Sequence, residues 1–208
     1  MKNNQLIPGE PLREGVDLIA DKKTGALIVV GSSAKLDKIS SGGINLSNCK
    51  FTPEMLCELA KMDGAVIVDE NVDKILKANV HLNPSDSIET SQTGTRHRTA
   101  QRVSVETELD VIAVSDESGI IKVFSNNEVN ELEESSMILG RVNESLQSID
   151  RTRRRFDDAV IELGELEIEN SITNQQVLEV VQRGELLERL SEQVLSLIHI
   201  SEPTRPSS

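Results

Sequence analysis

Apolar positions change their period along the chain, and the changes divide it into elements. Leu12, Val16 and Ile19 recur at the three-to-four spacing of one helical face, and Gly25 then precedes Ala26–Val30, an unbroken apolar run rich in β-branched residues. This predicts a helix followed by a buried strand. Thr52 suits an N-cap and Pro53 the first helical position, with Met55, Leu56, Leu59 and Ala60 as the apolar stripe of a helix ending near Met62. Asp63 and Gly64 break that stripe before a second apolar strand, Ala65–Val68. Residues 83–94, polar and interrupted by Pro84, read as a surface loop, and the Gly- and Pro-free stretch from Thr95 to about Thr107 reads as a helix. Residues 111–114 and 120–124 form two strands joined through a turn at Ser118-Gly119. The expected fold class is α/β, a mixed central β-sheet flanked by helices, over residues 1–127.

From Glu128 the pattern reads as helix after helix, an α-helical linker region over residues 128–195. Val129, Leu132, Leu139, Val142, Leu146 and Ile149 share one helical face, and Val177, Val181, Leu186, Leu190 and Val194 share another. Such stripes seek a partner surface, in a bundle or on neighbouring subunits. The basic run Arg151, Arg153, Arg154, Arg155 is followed at once by Asp157 and Asp158 and reads as a solvated, salt-bridged turn rather than a nucleic-acid contact. Residues 196–208 lose the helical period and end in a Pro/Ser-rich tail resembling translated sequencing adapter; they are expected to be non-native, which discounts His199 as a ligand.

Composition narrows the function. Of 208 residues, 35 are Asp or Glu and 22 are Lys or Arg, a net charge of −13 that disfavours coating of duplex nucleic acid. With no Trp, no Tyr and three Phe, aromatic platforms for single strands are almost excluded. Cys49 and Cys57 fit neither zinc spacing nor a disulfide framework and are expected to be reduced. No long apolar run or basic-then-apolar leader is present, so the expected location is cytoplasmic, without a membrane.

Against that acidic background, Thr93-Gly94-Thr95-Arg96-His97-Arg98-Thr99-Ala100 places two guanidiniums and an imidazole at a helix start, where free backbone N–H groups and the helix dipole favour an anion. Thr95 and Thr99, four apart, add hydroxyls on one face. His97 by itself fits a metal ligand, a phosphate donor or a structural histidine equally well. Asp63-Gly64-Ala65 sets a carboxylate beside two minimal side chains on a turn, which suits a hard cation next to a closely approaching ligand and suits an ordinary turn as well.

Lys61-Met62-Asp63-Gly64-Ala65 followed by Gly94-Thr95-Arg96-His97-Arg98-Thr99-Ala100 resembles the paired signature of diadenylate cyclases of the DisA, or DNA integrity scanning, family. The likeness runs from about Pro8 to Phe124 and more loosely through the helices beyond. It implies condensation of two ATP molecules into cyclic di-AMP and two pyrophosphates, with Asp63 holding Mg²⁺ or Mn²⁺ and Asp63, Arg96 and His97 catalytic. Gly64, Ala65, Leu82, Thr95, Arg96, His97, Arg98, Thr99 and Ser115 would contact ATP. It implies a homo-oligomer as well, an octamer in the family and at least a face-to-face dimer. The family's C-terminal helix-hairpin-helix DNA-binding domain is expected to be missing from this chain, and DNA binding lost with it. Gln101 departs from a usual Glu, and Glu117-Ser118 from a commonly basic stretch. The alternative is a non-catalytic oligomeric scaffold that binds ATP or cyclic di-AMP; a bare helical interaction protein is a third class.

Overall fold

The computed structural model describes residues 5–200, in two units that part between Glu134 and Ser135. The first unit runs α1 (Pro11–Asp21), β1 (Ala26–Val30), α2 (Ala34–Ile39), β2 (Ser40–Ser41), β3 (Ile44–Lys50), α3 (Pro53–Leu59), β4 (Ala65–Val68), β5 (Lys74–Leu82), α4 (Thr95–Thr107), β6 (Asp110–Val114), β7 (Ile121–Ser125) and β8 (Glu128–Leu132). Its strands make one mixed sheet in the order β2-β5-β4-β1-β6-β7-β8, with β3 also paired to β5. Strands β1 and β4 are parallel, Leu27 opposite Ala65, and the other pairings are antiparallel.

Helices cover both faces. Ala26, Ile28 and Val30 of β1 pack with Leu12, Val16 and Ile19 of α1 and Leu56 and Cys57 of α3, whereas Leu27 and Val29 pack with Leu36 of α2 and Ala100 and Val103 of α4. A strand covered on both sides cannot alternate apolar with polar residues, which is why β1 reads as continuous apolar sequence. Thr52 caps α3 by accepting a hydrogen bond from the Met55 N–H at 3.1 Å, and Pro53 occupies the first turn. Cys57 is buried, Cys49 is half-buried, and both are free thiols.

Because β1, β4 and β7 run one way and β5 and β6 the other, one end of the sheet gathers a particular set of chain positions. The entries to β1 and β4, the exit of β5, the β6–β7 turn and the start of β7 all lie there.

Three expectations are corrected. Residues 128–132 form an edge strand, β8, paired to β7 with Phe124 opposite Val129, so Val129 and Leu132 belong to no helix. The second unit consists of two long helices, α5 (Ser135–Ile168) and α6 (Asn174–Ile200), and the arginine run lies within α5 rather than on a turn. Arg154 pairs there with Asp150 at 2.8 Å, one helical turn away. Helix α6 continues through Ile200, past the point where the helical period was expected to fail. The His199 side chain and residues 201–208 lie outside the described residues.

Within the second unit, Arg183 donates to the Arg155 carbonyl and the Phe156 ring lies against Gly184, so the two helices fold back on each other. Among the described residues of that unit only Ala159 and Val194 are buried, and Leu139, Leu146, Val181 and Leu186 remain exposed. No described helix is long and apolar enough to cross a membrane.

Candidate functional site

The crowded end of the sheet opens into a cleft of about 880 Å³. Asp63, Gly64 and Ala65 line it from the entry to β4, Leu82 from the exit of β5, and Ser115 from the β6–β7 turn; Thr95, Arg96, His97 and Thr99 line it from the N-terminal end of α4. Two segments some thirty residues apart in sequence thus face one cavity. Arg98 is the exception. At about 100° per residue it lies some 200° around the helix from Arg96; it is exposed and does not line the cleft.

Two glycines shape the walls. A Cβ on Gly64 would lie 2.7 Å from the Asn79 carbonyl carbon and 2.9 Å from the Val80 nitrogen, so β5 leaves room only for hydrogen there. Gly25 has φ +65°, and a Cβ on it would meet Arg96 Nη1 at 2.7 Å and Asp116 Cβ at 3.0 Å. Its missing side chain is the floor on which those two residues meet, Arg96 Nη1 standing 3.3 Å from Asp116 Oδ1.

Helix α4 begins at Gly94, which offers no side chain to cap it, and its first intrahelical bond is Arg98 N–H to the Gly94 carbonyl at 3.1 Å. The N–H groups of the preceding turn are left for another acceptor, at the positive end of a 13-residue helix. His97 sits on this turn with its ring edge toward Phe124, centroids 6.5 Å apart. Burial, then the positive charges of Lys122 and Arg96, hold its pKa below the ordinary 6.5 against an opposing pull from Asp116. The imidazole is therefore neutral at pH 7, a hydrogen-bonding group rather than a fixed cation. The Asp116 carboxyl is held below its usual range, first by its own backbone N–H and then by Arg96.

The departures acquire places. Gln101 does not line the cleft; its side-chain oxygen accepts from the Thr90 hydroxyl and fastens the 83–94 loop to α4. Glu117 and Ser118 line the mouth beside Asp116, so the turn there is acidic. Thr24, Gly25, His81, Asp116 and Lys122 line the cleft without having been singled out. Strand order brings them there.

Among the described residues no three His, Cys, Asp or Glu side chains cluster as a cation cage. Asp63 supplies one exposed carboxylate. Mg²⁺ and its like are commonly held by one or two carboxylates together with water and substrate phosphates, so this donor set fits a cation shared with a nucleotide.

Residues 13–129 match the family described as DisA bacterial checkpoint controller nucleotide-binding, and residues 132–200 match the DisA bacterial checkpoint controller linker region. The chain belongs to the DisA family of diadenylate cyclases. A DNA integrity scanning protein DisA of Kineococcus radiotolerans is 45% identical over 189 residues, covering 91% of this chain and 52% of that protein. The Bacillus thuringiensis (strain Al Hakam) protein of the same name is 40% identical over 192 residues, covering 92% and 54%. The chain spans about half the length of these DisA relatives. Among solved structures, a double mutant of DacA from Staphylococcus aureus superposes with a TM-score of 0.50 at 28% identity, covering 63% of this chain and 89% of that one. A hypothetical membrane spanning protein from Bacillus cereus gives 0.51 at 26%, covering 59% and 61%.

Proposed function

We propose that this chain condenses two ATP molecules into cyclic di-AMP. The observation that carries the reading is the shared cleft: an exposed carboxylate at Asp63 and the uncapped start of α4 face the same cavity. A triphosphate at the helix start would accept from the free N–H groups and meet Thr95, Arg96, His97 and Thr99, while Gly64 and Ala65 would line the sugar and base and Leu82 would give an apolar contact for the base.

In each half-reaction a ribose 3′-oxygen attacks an α-phosphorus. The new P–O bond forms as the bond to the bridging oxygen breaks, pyrophosphate leaves, and the hydroxyl proton is lost to solvent. Mg²⁺ or Mn²⁺ held by Asp63 and the nucleotide would lower the charge on the reacting phosphate. The chain's own part is largely positioning and electrostatic stabilisation. Arg96 must exchange Asp116 for a phosphate oxygen, and His97 donates from its ring. Two attacks by two identical nucleotides are met most economically by two protomers face to face across a twofold axis. A homo-oligomer, built in part through the exposed apolar stripes of α5 and α6, is the expected working form, in the cytoplasm.

Incubation with ATP and Mn²⁺ followed by mass spectrometry tests the reading. It predicts a cyclic dinucleotide and two pyrophosphates per turnover. The Arg96–Asp116 pair favours the second reading, a scaffold that binds nucleotide without turnover, and tight ATP binding with no cyclic product would establish that reading instead.

A further inference from the structure

Three cations line the cleft: Lys61, Arg96 and Lys122. Two of them are already paired, Lys61 with Glu58 at 2.6 Å and Arg96 with Asp116 at 3.3 Å. Lys122 differs. It is half-buried on β7, and its ammonium donates at 3.1 Å to the side-chain oxygen of Gln92, a neutral amide on the 83–94 loop. Glu131 stands opposite it in register on β8, yet among the described residues no carboxylate comes within ion-pair distance of Lys122. Strand alternation puts Lys122 on the same face as Phe124, the face that α4 covers, at the end of β7 nearest the start of that helix. Its charge is felt at His97, where it is the larger of the two cationic influences that hold the imidazole neutral.

An ammonium whose one hydrogen-bond partner is an uncharged amide, in a cavity it shares with an uncapped helix start, still has its charge to offer. Asp116 and Glu117 at the mouth make the rest of that wall acidic, so an incoming polyanion meets Arg96 engaged and Lys122 available. We propose that Lys122 is a polyphosphate-binding residue of this cleft, contacting the triphosphate of ATP directly and supplying the charge that the acidic β6–β7 turn does not. The proposal rests on the cleft being an ATP site. On binding, Lys122 exchanges the Gln92 amide for a phosphate oxygen; a charge-assisted hydrogen bond of this kind is about twice as strong as a neutral one.

Calorimetry on the full chain tests this with three probes, ATP, inorganic tripolyphosphate and adenosine, against wild type, Lys122→Met and Lys122→Arg. The expected result is an affinity for ATP and tripolyphosphate about tenfold weaker in Lys122→Met. Adenosine binding is expected to be unchanged in that variant, and Lys122→Arg to recover most of the loss. In the same Lys122→Met protein the His97 pKa, followed by NMR, should rise as the neighbouring charge goes, which reports a folded cleft. Wild-type affinity for ATP in Lys122→Met would overturn the role of Lys122 and leave the ATP site standing. An equal loss for adenosine and ATP, unrelieved by arginine, would overturn it in favour of a packing role. Failure of the wild-type chain to bind either ATP or tripolyphosphate would overturn the ATP site itself, and this proposal with it.

Discussion

The sheet unit and the helical unit solve burial in opposite ways. In the first, β1, β4 and β6 are covered on both faces, and Ile28, Val29, Ile112 and Val114 have no exposed surface. In the second, two helices of 34 and 27 residues bury two side chains among those described, while Met137, Ile161 and Ile168 stand 63%, 63% and 88% exposed. A body with its own core can hold side chains still enough to build a cleft, and the mapped site residues all lie in that body. A pair of helices with its apolar stripe uncovered offers surface instead, which suits assembly better than chemistry.

The contrast can be broken at several points. The largest expected effect is on turnover: Asp63→Asn removes the carboxylate proposed to hold the cation and should lower cyclic dinucleotide formation by roughly 100-fold or more while ATP binding persists. An unchanged rate would remove the chemistry from this end of the sheet. Next comes packing. Ile112→Ala should cost about 2–5 kcal/mol in urea unfolding, whereas Ile161→Ala should stay within about 0.5 kcal/mol. Equal costs would mean that the helical stripe is covered after all. Gly64→Ala sets a methyl against the β5 backbone and should cost about 1–3 kcal/mol, read as a lower melting temperature together with weaker ATP binding.

The smallest effect is on pH dependence. The folded pKa of His97 lies below its unfolded value, so the unfolded chain binds more protons between the two. Its contribution to stability is complete above about pH 6.5 and is lost as pH falls through the depressed value. Bound triphosphate should raise that pKa by stabilising the imidazolium. NMR titration with and without ATP checks both shifts, and a His97 that titrates at or above 6.5 in the free protein would contradict the first.

Most of the sheet unit was legible because its elements carry full local signals: a β-branched run at Ala26–Val30, a Thr-Pro helix start at Thr52, a glycine before α4. Helix α2, six residues long, and β2, two residues long, are too short to show a period. Strand β8 misleads because Val129 and Leu132 are three apart, a spacing that a short segment shares with a helix turn. Motif residues such as Asp63 and Arg96 announce themselves by type and neighbourhood. Gly25 and Lys122 do not, since only the antiparallel pairing of β1 with β6 and β6 with β7 carries them to the cleft. Arg98 belongs to the motif, but helix geometry turns it outward, so adjacency in sequence overstated its share of the site.

The central claim is that Asp63 and the start of α4 grip one triphosphate, and paramagnetic Mn²⁺ reports on it most directly. With ATP present, Mn²⁺ should broaden the His97 ring resonances, and Asp63→Asn should weaken that broadening at matched ATP occupancy. His97 resonances left sharp at saturating Mn²⁺ and ATP would show that the carboxylate and the helix do not meet on the same ligand.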